Sequence, residues 1–296
     1  MKRTVTILSL LFCLSYLNSQ TYNKLEVDDK GNEKLLGKIN REGLSSNSFN
    51  TWFNKNYDDY VANETLLKNF KDSLSKYKIK VFLGTWCGDS KREVPRFYKV
   101  IDAINFPENQ LEIIAIDNAT ETYKQSPNGE EQGLNIHRVP TFIFYKDEKE
   151  VNRIVEHPKE TFERDIYNIV LGKSYTPNYV AANYIEGMLM QYSLKILNEM
   201  ESELVSRLSE FVKGSRELNT LGYVKLRAKK YDEAIYIFDL NTKLFPYKEN
   251  VYDSLGEAFF ETKNYSLALK NYQKVLDLNP KHENAKIMIE KIKKDY

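Results

Sequence analysis

Lys80-Val81-Phe82-Leu83-Gly84-Thr85-Trp86-Cys87-Gly88-Asp89-Ser90-Lys91-Arg92 is the stretch from which the rest of the chain can be ordered. Val81, Phe82 and Leu83 are consecutive β-formers, and Gly84-Thr85 marks the end of a strand. Beyond Cys87 the apolar residues Val94, Phe97, Val100, Ile101 and Ile104 recur at spacings of three and four, the period of a helix packed on a sheet. Cys87 therefore sits where a strand hands over to a helix. The backbone N–H groups and dipole of a helix N-terminus favour a thiolate over a thiol. Lys91 and Arg92 act in the same direction, and Asp89 acts against it.

Working outward, Leu111–Asp117 reads as a buried strand, and 118–134 as a polar loop with a turn at Ser126-Pro127-Asn128-Gly129. Val139-Pro140 leads into Thr141–Tyr145, a hairpin turn at Asp147–Glu150, a return strand over Val151–Val155, and a helix carrying Phe162, Ile166, Ile169 and Val170. Upstream, Phe49, Trp52, Phe53, Tyr57 and Tyr60 fit a helix, as do Leu66, Leu67, Phe70 and Leu74; both stripes read as core. Residues 20–44 are polar and read as a mobile lead-in, with one weak strand signal over Leu35–Ile39.

This order of elements, with Trp86-Cys87-Gly88-Asp89-Ser90 and, 53 residues after the cysteine, Val139-Pro140-Thr141, resembles the thioredoxin superfamily. The resemblance covers about residues 45–172 and implies an α/β thioredoxin-like fold: a central mixed sheet flanked by helices. It implies catalytic roles for Cys87 and Ser90, and a client-binding edge formed by Trp86, Gly88, Val139 and a cis Pro140. The departures bear on mechanism. Ser90 stands where the family carries its second, resolving cysteine, Asp89 replaces the usual proline, and Val81 replaces a buried aspartate. A CxxS site can form a mixed disulfide with a client but needs an outside thiol to release it.

Beyond a linker at 173–177 the patterning of residues 178–296 is helical throughout. Leu221-Gly222, Tyr231, Ala234, Phe238 and Pro246 recur as Leu255-Gly256, Tyr265, Ala268, Tyr272 and Pro280, each 34 residues on. That period resembles the tetratricopeptide repeat, with units at 217–250 and 251–283. Small residues allow helices to cross closely, aromatics fill the gaps, and proline ends the second helix. Ala285, Ile287, Ile289 and Ile292 are available to cover the last unit, and the helices within 178–213 to complete the stack.

The first nineteen residues read as a secretory signal peptide: Lys2-Arg3, an apolar run over Thr4–Leu17, and a small polar end at Asn18-Ser19. The run is short of the roughly 20 residues that span a bilayer, so no transmembrane anchor is expected after cleavage. The expected location is the periplasm, cell envelope or exterior. Cleavage also removes Cys13, one of two cysteines, and leaves Cys87 as a lone thiol in a compartment that permits disulfides.

With 43 basic and 42 acidic residues, no charge excess points to nucleic acid. His137, His157 and His282 form no ligand cluster in the sequence, so neither a metal nor a cofactor is expected. Gly88-Asp89-Ser90 also resembles the nucleophile block of certain esterases, but the late Asp-x-x-His which that chemistry needs does not occur. Two functions remain open. One is monothiol exchange on a protein or peptide client bearing a disulfide or thiol, with the helical region binding a partner. The other is a non-catalytic adaptor on a degenerate thioredoxin fold.

Overall fold

The computed structural model describes residues 22–28 and 30–295. The expected signal peptide at 1–19, with Cys13, lies outside the described residues. The first elements are β1 (Lys24–Val27) and β2 (Glu33–Ile39), paired antiparallel. Their turn is closed by the Asp28 carboxylate, which accepts the N–H groups of Lys30 at 2.9 Å and Asn32 at 2.8 Å. Four short helices follow: α1 (Arg41–Leu44), α2 (Asn50–Asp58), α3 (Glu64–Lys68) and α4 (Lys71–Leu74). Next come β3 (Lys78–Leu83), α5 (Gly88–Ala103), β4 (Leu111–Ala115), β5 (Thr141–Lys146), β6 (Lys149–Val155) and α6 (Phe162–Val170).

One six-stranded sheet results, in the order β1-β2-β4-β3-β5-β6. Only β3 and β4 run parallel, because α5 carries the chain across between them; every other pair is antiparallel. The larger core, with Phe53, Phe70, Val81, Phe97, Phe142 and Phe162, fills one face. A smaller cluster of Phe82, Ile114, Ile116, Ile136, Val139 and Ile143 fills the other, and Trp86 and Cys87 pack on its edge.

Two expectations need correction. Of the segment expected at 20–44 to be a mobile lead-in to a domain starting at 45, residues 33–39 are part of the sheet, because β2 pairs with β4 and buries Leu35, Leu36 and Ile39. The polar residues that disguised this strand are satisfied within the fold, Lys34 by Asp117 at 2.5 Å. The run ending at Leu74 breaks into α3 and α4 where Phe70 leaves helical geometry to enter the core.

The C-terminal region is all-helical: α7 (Val180–Gln191), α8 (Leu194–Glu199), α9 (Glu201–Ser209), α10 (Arg216–Arg227), α11 (Tyr231–Leu244), α12 (Glu249–Glu261), α13 (Tyr265–Leu278) and α14 (Glu283–Asp295). The pairs α10–α11 and α12–α13 repeat at 34 residues, the tetratricopeptide-type arrangement. A Cβ at Gly222 would stand 2.7 Å from Phe238 Cδ1, and one at Gly256 3.0 Å from Tyr272 Cε1, so these glycines set the helix crossings. Ala181, Ile185, Leu197, Leu204 and Leu208 extend the stack on the α10 side. On α14, Ala285, Ile289 and Ile292 are buried at spacings of four and three, whereas Ile287 lies on the opposite face, 60% exposed, and covers nothing. Among the described residues no helix is long and apolar enough to cross a membrane.

Candidate active site

The site forms where β3 ends. Cys87 N–H bonds Gly84 O at 2.9 Å to close the turn, and Cys87 then caps α5 in an extended conformation, half-buried, with Gly88 exposed at the first helical position. The Val139–Pro140 peptide is cis. Its segment lies against the cysteine, and Cys87 Sγ is 3.4 Å from Val139 O. Trp86 lies across Gly84, and its indole N–H donates to Ile116 O at 2.8 Å. The tryptophan thus ties the active-site turn to the end of β4.

The structure brings Cys87, Trp86, Gly88, Val139 and Pro140 together. Ser90 is oriented differently. It is fully buried, and its Oγ accepts from Gly84 N at 3.2 Å, while the sulfur bonds the Val139 carbonyl. The serine therefore braces the strand end against the helix. Asp89 bonds Arg92 at 2.8 Å, and Arg92 also bonds Glu93 at 2.5 Å, so much of the arginine's charge is spent inside α5.

Three residues that the sequence reading left aside or did not single out adjoin this site. His137 is 1% exposed; its Nδ1 lies 3.4 Å from Asn135 O and its Nε2 has no partner among the described residues. Burial first, then the nearby Lys124, push its pKa down to about 3, so the ring is neutral. Lys124 is 5% exposed and donates to the His137 carbonyl. Arg138 bonds Glu156 at 3.2 Å and Arg216 O at 3.1 Å, and its guanidinium stacks 4.5 Å from the Tyr179 ring centroid.

Arg138 thereby fastens the helical region to the segment that carries Pro140. Asn135 to Asn183 at 3.0 Å and Gln125 to Arg227 O at 3.1 Å add to the seam. The linker is also tied down, by Tyr175 OH to Asp165 at 2.8 Å.

A family model described as Thioredoxin matches residues 45–166. The domain built on this stretch is thioredoxin-like. Thioredoxin-2 of Pyricularia oryzae is 29% identical over 97 residues, covering 32% of this chain and 51% of that protein. Superkiller protein 3 of Schizosaccharomyces pombe is 26% identical over 153 residues, covering 52% of this chain and 11% of its own length. The chain thus spans about half of one curated relative and about a tenth of the other. The thioredoxin-like domain supports a thiol–disulfide redox role. Among the described residues no group of three or more His, Cys, Asp or Glu could hold a metal ion. His282 caps α14 by accepting from Ala285 N at 3.3 Å.

Proposed function

We propose that the protein performs monothiol thiol–disulfide exchange through Cys87, as an exported factor whose helical region binds a partner. The observation that carries this reading is the half-buried Cys87 at the α5 N-terminus, its sulfur set beside the cis Val139–Pro140 segment. Cys87 thiolate attacks one sulfur of a client disulfide. A Cys87–client S–S bond forms, the client's own S–S bond breaks, and its second sulfur leaves as a thiolate. Cys87 is the single cysteine among the described residues, and Ser90 cannot displace the client, so an external thiol ends the cycle. Pro140 and Val139 would shape the groove for the client's backbone, with Trp86 and Gly88 on its other side. The apolar stretch before residue 20 supports export.

Incubation with oxidised glutathione or a disulfide-bridged peptide, followed by intact-protein mass spectrometry, tests the proposal. A mixed disulfide on the wild type that is absent from Cys87→Ser is expected. A thiol that alkylates yet never forms the adduct would overturn exchange in favour of the adaptor reading.

A further inference from the structure

Lys124 is a buried amine for which the exchange chemistry above names no role. Its backbone is left-handed (φ +58°) and pinned on both sides, Lys124 N–H to Asp117 O at 2.9 Å and Asp117 N–H to Gln125 O at 2.9 Å. The side chain is thereby sent inward to the His137 carbonyl. Two residues on, the Val139 carbonyl lies 3.4 Å from Cys87 Sγ. Amine and sulfur therefore lie against carbonyls 137 and 139 of one short segment.

The surroundings of Lys124 make its charge expensive. Among the described residues no carboxylate forms an ion pair with it, and a buried ammonium without an anion is strongly disfavoured. Its neighbours are the Tyr123 ring, 5.1 Å from Nζ, the neutral His137, the cationic Arg138 and the anionic Glu156. From the helical region Tyr179 closes over His137, its ring centroid 5.9 Å from the imidazole, with its hydroxyl on Glu156. Glu156 is already engaged by Arg138 and Tyr179. Burial, then Arg138, push Lys124 down to about 7, and a negative charge at Cys87 acts in the opposite direction. On the cysteine's other side, the Asp89 carboxylate in the first turn of α5 offsets the helix dipole.

We propose that Lys124 is the counter-charge of the Cys87 thiolate, the positioning residue that keeps the nucleophile ionised. The inference rests on the reading of Cys87 as that nucleophile. When the thiol ionises, its proton leaves to solvent and Lys124 holds its own proton more firmly. When the thiolate attacks a disulfide, its charge disappears into the new S–S bond. The electron pair of the broken bond leaves on the client's second sulfur, and Lys124, having lost its partner, releases a proton to solvent.

The test is the pH dependence of Cys87 alkylation by iodoacetamide in the full chain, wild type against Lys124→Met, with circular dichroism to establish folding. Loss of the counter-charge is expected to raise the midpoint by about one pH unit, which makes alkylation about tenfold slower on the acid limb with the same alkaline plateau. The coupling is reciprocal. NMR titration of 15Nζ-labelled lysine should therefore show the Lys124 midpoint falling in Cys87→Ser, and this measurement decides the matter if Lys124→Met does not fold. An unmoved midpoint in either titration overturns the pairing. Adduct formation with oxidised glutathione is read separately. Adducts with unmoved midpoints sink only the role of Lys124, and moved midpoints without adducts sink only exchange.

Discussion

Gly84 and Gly88 flank Cys87 by three residues and by one, yet an added methyl group should act on them in opposite ways. A Cβ at Gly84 would stand 2.7 Å from Trp86 Nε1 and 2.8 Å from its Cζ2. Carbon contacts are comfortable at about 3.5–4.0 Å, so the indole must retreat by about 1 Å. Its 2.8 Å hydrogen bond to Ile116 O does not survive that movement. Overpacking costs about 1–3 kcal/mol and the lost bond about 1 kcal/mol. The smaller entropy of an unfolded alanine returns about 0.4–1 kcal/mol. Gly84→Ala should therefore lose about 2 kcal/mol, a fall in Tm of roughly 4–8 °C. A Cβ at Gly88 meets nothing within 4 Å, so Gly88→Ala should be neutral or gain up to about 1 kcal/mol. Urea and thermal melts measure both. Trp86 emission, read in a Trp52→Phe background, should shift in Gly84→Ala alone. A Gly84→Ala variant within about 0.5 kcal/mol of its parent, with unaltered emission, would refute the claim that the indole locks the turn.

The same Gly-to-Ala change can be compared at one position of the two helical repeats. Gly222→Ala drives into the fully buried Phe238 and should cost about 2 kcal/mol, whereas Gly256→Ala meets Tyr272 at 3.0 Å and should stay within about 1 kcal/mol; denaturant midpoints in the reverse order would contradict the packing argument. His137 is neutral in the fold until about pH 3 but takes up a proton near 6.5 once unfolded. Its contribution is complete above pH 6.5 and falls away as the pH drops toward 3, so from pH 7 to 5 it should cost about 2 kcal/mol, and His137→Phe should flatten that slope in urea titrations. Arg138→Ala removes the Glu156 pair, the bond to Arg216 O and the stack on Tyr179. Tryptic cleavage at Lys173 in the linker should then rise several-fold, and an unchanged rate would show that the seam is held elsewhere.

Those features of the site and fold that are local in sequence were legible there. Val81–Leu83 and Thr141–Phe144 are apolar runs that read as buried strands, and the Cys87 turn and Val139–Pro140 are short stretches whose placement needs no distant partner to be recognised. The 34-residue offset likewise exposes the helix pairs, because repeated packing demands repeated small residues. What depended on distant partners was hidden. β2 reads as polar because Lys34 finds its anion at Asp117, 83 positions away. Lys124 lies in a loop whose left-handed backbone follows no period, so nothing in its neighbours announces that the amine goes inward.

The seam between Arg138 and the helical region also has a kinetic meaning. A client segment held by those helices would meet Cys87 as part of the same complex, at an effective concentration on the order of millimolar for a short flexible span. A bimolecular collision at micromolar client would become a local search. An encounter frequency of that size raises the rate of mixed-disulfide formation as a large gain in intrinsic nucleophilicity would. Fusion of the two regions would then let Cys87 act quickly on a tethered client while leaving bystander disulfides alone.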